Sequence, residues 1–144
     1  MSQSQLHIAN HALQSLHEWL KEMGTIVNWD DEQRTYRLLR VTLQTLRDWL
    51  NLNEASQLGA QLPLLIRGIY YEGWRPAGTP VAERDREAFL ARIEQAFKTD
   101  PIDSTDEAVT SVFKPLNRRI SEGEIDDVRM RLPSALRELW PLAT

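Results

Sequence analysis

The step Leu62-Pro63 recurs as Leu132-Pro133, and the residues around it recur in the same register. Slid by 70 positions without a gap, Glu54, Leu58, Leu62-Pro63, Ile66-Arg67, Ile69 and Tyr70 fall on Glu124, Val128, Leu132-Pro133, Leu136-Arg137, Leu139 and Trp140. The same slide carries Trp19-Leu20 onto Phe89-Leu90, Met23 onto Ile93, and Val27 onto Phe97. Leu39 falls on Val109, Leu43 on Phe113, Leu46 on Leu116, and Leu50 on Ile120. Apolar character and chain punctuation therefore match in one register, as two copies of one supersecondary unit require. A unit of this length buries too little surface to stand alone, so each copy is expected to turn an apolar face to the other.

Hydrophobic spacing gives the elements. Leu6, Ala9, Leu13, Leu16, Leu20 and Met23 recur at three- and four-residue steps, one stripe of an amphipathic helix that Gly24 should weaken or end. Asp30 reads as the opening of the next helix, with Gln33 as its capping-box partner. Its stripe is Tyr36, Leu39, Leu43, Leu46 and Leu50, widened by Leu38 and Trp49. Asn51 to Glu54 opens a third helix, which Pro63 interrupts before Ile66, Ile69 and Tyr70. Thr79-Pro80 reads as a helix entry, a cap followed by proline where its missing N–H costs nothing. Ser104 to Glu107 and Ser121 to Glu124 read as further capping boxes. Pro115 should kink or break the run between them, and Pro133 interrupts the last one. No stretch alternates in the strict two-residue period of a strand. The expected fold is all-α: a duplicated multi-helix bundle, two pseudo-symmetric copies packed as one unit. The copies occupy residues 1–70 and 81–144, with a connector at 71–80.

Composition bounds the function classes. The chain has no cysteine, which removes disulfides, thiolate metal centres and cysteine nucleophiles. Its net charge of -4 argues against wholesale binding to nucleic acid or to an anionic membrane, both of which call for a basic face. Met1-Ser2-Gln3-Ser4-Gln5 lacks the cationic lead and apolar run of a signal peptide, and Leu64-Leu65-Ile66 is far too short to span a bilayer. A soluble, cytoplasmic protein with no membrane and no nucleic-acid partner is expected.

Between the copies, Arg67-Gly-Ile-Tyr-Tyr-Glu-Gly-Trp-Arg-Pro-Ala-Gly-Thr-Pro80 concentrates glycine, proline, arginine and aromatic residues. Arg67-Gly-Ile-Tyr-Tyr-Glu-Gly-Trp74, together with Ile120-Ser-Glu-Gly-Glu124 and the tail Leu132-Pro133 to Trp140, resembles a bacterial family catalogued as domain of unknown function 2267. The resemblance runs from about Trp19 to Trp140. It implies a small, helical, tandemly duplicated protein and brings no catalytic residue or cofactor with it. Asn53, where the second copy has Gly123, is a departure in the turn before the glutamate.

Arg67, Tyr71, Trp74 and Arg75 are the candidate interaction surface, being large amphipathic groups of the kind that dominate binding hot spots. Their structural alternatives are equally physical. Arg67 matches Arg137 and would cap helix carbonyls or pair with a glutamate, while Trp74 would plug the groove between copies. His7 and His11 have the i, i+4 spacing of a metal pair, with Glu18 as a third donor, but a solvated polar face is the expected reading and no metal is assigned. Arg34, Arg37 and Arg40 form a basic ridge, expected to be solvated or paired with carboxylates. Glu122, Glu124, Asp126 and Asp127 suit a helix start, where carboxylates complement the macrodipole. No phosphate loop, nucleophile elbow or zinc helix is present, so no enzymatic activity and no cofactor are expected. The leading expectation is a protein-interaction or scaffold module using the connector. The alternative is a small-ligand pocket between the copies, lined by Trp19, Phe89, Phe113 and Trp74 with Arg67 or Arg137 as polar handle. A third is self-association into a homo-oligomer through the broad apolar helix faces.

Overall fold

The computed structural model describes residues 3–141, with side chains from His7 onward. The described residues form eight α-helices and a short 3₁₀ turn at Pro76–Gly78, with no strand among them. In chain order the helices are α1 (Gln3–Val27), α2 (Glu32–Trp49), α3 (Leu52–Gln61), α4 (Leu64–Tyr71), α5 (Arg86–Ala96), α6 (Thr105–Arg119), α7 (Glu122–Arg131) and α8 (Ser134–Arg137).

Local chemistry sets most boundaries. Asn51, Ser104 and Ser121 each accept a hydrogen bond from the backbone N–H three residues on, which satisfies one of the orphan donors of α3, α6 and α7. Leu62 and Leu132 end α3 and α7 in extended backbone, as a residue before proline must.

Four boundaries differ from the sequence expectation. Gly24 does not end α1. The helix runs on to Val27 and closes at Asn28, whose φ of 60° lets the Trp29 N–H reach the Gly24 carbonyl at 2.9 Å. A Cβ at Gly24 would sit 3.1 Å from the Trp29 carbonyl oxygen, a tight approach that glycine avoids. The cap of α2 is Asp31, not Asp30; its carboxylate accepts from the N–H groups of Gln33 and Arg34. Thr79-Pro80 is not a helix entry. The Val81 N–H is tied to the Asp48 carbonyl at 2.9 Å at the end of α2, and α5 begins only at Arg86, capped by Asp85. Pro115 does not break α6, which continues to Arg119.

One contiguous apolar core unites both halves of the chain. Trp19, Leu20 and Met23 of α1 meet Leu39, Leu43 and Leu46 of α2, Phe89 and Ile93 of α5, and Val109, Val112, Phe113 and Leu116 of α6. Each such side chain contributes roughly 1.5–3 kcal/mol when fully withdrawn from water. The helices interleave across the halves: α1 packs on α2 and α6, α5 packs on α2 and α6, and α3 packs on α7.

Several hydrogen bonds recur at the same 70-residue shift as the sequence pattern. Arg67 donates to the Gly59, Ala60 and Leu62 carbonyls, and Arg137 to those of Arg129 and Met130. Asn51 accepts from the Glu54 N–H, and Ser121 from the Glu124 N–H.

The amphipathic stripe of α1 is covered only in its second half. Leu20 and Met23 are buried, whereas Ala9 is exposed and Leu13 is 49% exposed. Tyr36, also assigned to a stripe, lies at the surface of α2.

Candidate functional site

The connector leaves α4 through a chain of fixed contacts. Arg47, almost wholly buried in α2, donates to the Tyr70 carbonyl at 2.7 Å and the Glu72 carbonyl at 2.9 Å, so it closes the C-terminal end of α4. Its Nε bonds Asp48 at 2.9 Å, and Asp48 also receives Arg92 of α5 at 3.0 Å. Gln44 donates to the Ile69 carbonyl, and Arg40 grips the Glu72 carboxylate at 2.6 Å. Gly73, at φ +72°, then turns the chain where a side chain would be strained.

The four predicted surface residues have different fates. Arg67 is committed to structure: its guanidinium donates to three carbonyls at the end of α3, at 2.9, 3.0 and 2.9 Å. Tyr71 is half-buried between Tyr70 and Trp74, with ring centroids 5.0 and 5.4 Å away. Its phenol ring occupies the space above Gly59, where any Cβ would collide with it. Trp74 packs one side on the core and keeps the other partly exposed, and its Nε1 is buried with no hydrogen-bond partner among the described residues. Arg75 is exposed, with no ion pair, hydrogen bond or ring contact from its side chain among the described residues. The structure thus brings Tyr71 and Trp74 together, and separates Arg67 from them in role.

Three of the four residues expected to line a ligand pocket are buried in the core. Trp19, Phe89 and Phe113 are at most 2% exposed. Phe113 stacks on Trp140 at 4.4 Å, Trp49 meets Phe89 edge-on at 5.3 Å, and the Arg119 guanidinium lies 5.5 Å from the Trp19 ring. The larger surface clefts lie elsewhere. One of about 540 Å³ separates the end of α1 from the start of α2, and His17 meets Glu32 across it.

The basic ridge is engaged by neighbours. Arg34 lies 3.9 Å from the Trp29 ring centre and pairs with Asp100 at 2.8 Å, Arg37 lies over Phe97, and Arg40 holds Glu72. His7 and His11 are exposed, and Glu18 accepts from Gln14. Among the described residues no three metal-binding side chains converge. No helix among them is long and apolar enough to cross a membrane.

Sequence reasoning missed the Arg47–Asp48 node and the two glutamates between α3 and α7. Glu54 and Glu124 are each only 6% exposed. Arg131 lies 4.0 Å from Glu54, while Gln61, the residue 70 positions before Arg131, offers Glu124 no charge and instead accepts from the Ser121 N–H. Burial, and then the neighbouring charges of Glu54 and Asp127, push the Glu124 carboxyl up to about 7. Burial also pushes the Tyr70 phenol up; its O–H donates to the Ala55 carbonyl at 2.7 Å. A signal was available in the glutamate repeated at position 54 and 124, but a capping-box role already accounted for it.

No curated protein matches this chain. A family model does, that of an uncharacterized conserved protein (DUF2267), over residues 16–139, and this span holds both Leu-Pro steps, the connector and nearly all of the core. The chain belongs to the DUF2267 family.

Proposed function

We propose that this protein is a cytoplasmic protein-interaction module, two related helical units joined by a connector whose rim binds an acidic segment of a partner. The observation that carries the reading is the contrast among its arginines. Arg34, Arg40, Arg47, Arg67, Arg86, Arg92, Arg118, Arg119 and Arg137 are all held by carboxylates or carbonyls. Arg37 lies over Phe97 and the Arg129 Nε is buried, whereas Arg75 and Arg84, both in the segment between α4 and α5, are exposed and have no such partner among the described residues. The residue before Arg75 is Trp74, whose partly exposed ring is backed by Tyr71. An arginine next to a rigid aromatic ring is a common composition for a binding hot spot. The rigid backing supports binding, because little side-chain freedom is lost on docking. A ligand pocket between the units is the weaker reading, since most of its expected lining is buried in the core.

The test is affinity capture of Arg75→Glu and Trp74→Ala variants beside the wild type. Arg75→Glu is the cleaner probe, because an exposed side chain without contacts can be changed without disturbing the fold. The expected result is a partner retained by the wild type, lost by Arg75→Glu and weakened by added salt. A partner that binds all three alike would remove the connector from the interface.

A further inference from the structure

The first half of α1 continues an amphipathic pattern past the point where the bundle covers it. From His7 to Gln14 only Ala12 is buried, and Ile8 and Leu13 are 61% and 49% exposed. Beside it, at the start of α4, Leu64 and Leu65 are 59% and 39% exposed. An open groove of about 370 Å³ runs between the two elements, lined by Ile8, Ala12, Pro63 and Leu64 with His7 and His11. Apolar groups account for most of its surface, with Ile8 and Leu64 the most exposed large ones on it.

The charge pattern is unusual for this chain. Charged residues make up 26% of it, yet residues 1–17 contain no Asp, Glu, Lys or Arg, and neither do residues 55–66. The residues that line the groove all come from these two stretches. We infer that this uncharged face is a two-fold interface with a second copy of this chain. A two-fold axis sets each group near it against its own equivalent. Two molecules of net charge -4 repel, and any ionised side chain near the axis would meet its own kind. A face stripped of formal charge on both contributing elements avoids that cost. A heterologous partner imposes no such requirement, since opposite charges there steer and specify binding.

Helix energetics points the same way. Packing of the amphipathic face supplies most of helix stability, and the first half of α1, where only Ala12 is buried between His7 and Gln14, gains little of it within one chain. The overhang of α1 gains that packing from the partner copy. This interface is separate from the connector, so the two assignments stand or fall independently.

Sedimentation velocity of the full chain over a series from roughly 1 µM to 1 mM tests the inference. The wild type is expected to pass from monomer to dimer within the series. Ile8→Glu and, separately, Leu64→Glu each place a carboxylate in the interface and are expected to raise the dissociation constant by about 100-fold or more. Both positions are exposed in the single chain, so far-UV circular dichroism of the variants at the lowest concentration should match the wild type. Arg75→Glu should dimerise as the wild type does. A wild type that stays monomeric through the whole series overturns the inference, whatever the variants do. So does a dimer that both glutamate variants form undiminished.

Discussion

Replacing Glu124 by glutamine should stabilise the protein above neutral pH and do almost nothing in mild acid. Glu124 is 6% exposed between α3 and α7, and burial lifts its carboxyl from an ordinary 4.5 to about 7. A group raised in the folded state binds its proton more tightly there than in the unfolded chain. Its contribution is therefore fully present below pH 4.5 and is lost as the pH climbs through 7. At ~1.4 kcal/mol per pH unit, the loss comes to about 3 kcal/mol once the carboxylate is ionised. Glutamine keeps the shape and never ionises, so that loss disappears. In a chain of this length about 3 kcal/mol corresponds to a rise in melting temperature of roughly 10 °C. The assay is a set of thermal and urea melts of wild type and Glu124→Gln from pH 4.5 to 8.5, read as the difference between the two proteins. That difference should be near zero at the acid end and grow through pH 5–7 to a plateau above it. A difference that stays constant with pH would refute the argument, because it would show that Glu124 ionises alike in the folded and unfolded chains.

Arg67→Ala should cost about 2–3 kcal/mol, since hydrogen bonds from a charged donor to three carbonyls are lost together. Arg67→Lys should recover little of this in chemical denaturation, because one ammonium cannot span the three acceptors that the planar guanidinium bridges. Gly59→Ala should destabilise by about 1–3 kcal/mol by displacing the Tyr71 ring. In a Tyr71→Ala background the same change should be nearly neutral, and a double-mutant cycle showing full additivity would disprove the contact.

Much of the fold is legible in the chain because its causes are short-range. A side-chain cap acts over three residues, so Asn51, Ser104 and Ser121 announce α3, α6 and α7 without knowledge of the rest. Proline acts over one residue, so Leu62-Pro63 and Leu132-Pro133 mark real breaks. The period of apolar residues places Leu39, Leu43, Leu46, Val109, Val112 and Leu116 in the core. Thr79-Pro80 shows where this reasoning ends. Its local signal for a helix start is sound, but the tether from Val81 to the Asp48 carbonyl holds the chain extended there, and α5 waits for Asp85.

The candidate site was less legible, for a physical reason. Arg67, Tyr71, Trp74 and Arg75 look equivalent as residue types, and only the positions of their neighbours tell them apart. Arg67 is consumed by the carbonyls of α3, Tyr71 fills the space over Gly59, and Arg75 reaches water. How far the stripe of α1 is covered is likewise a property of the helices that pack on it, which bury Leu20 and Met23 and leave Ile8 and Leu13 exposed. By itself the sequence determined helix type, helix punctuation and core periodicity, because these follow from interactions within a few residues. The tertiary structure alone decided the interleaving of α1 with α6 and α5 with α2, the uncompensated carboxyl of Glu124 and the uncovered face of α1. Those depend on which surfaces meet across the whole length of the chain, and no local pattern encodes that.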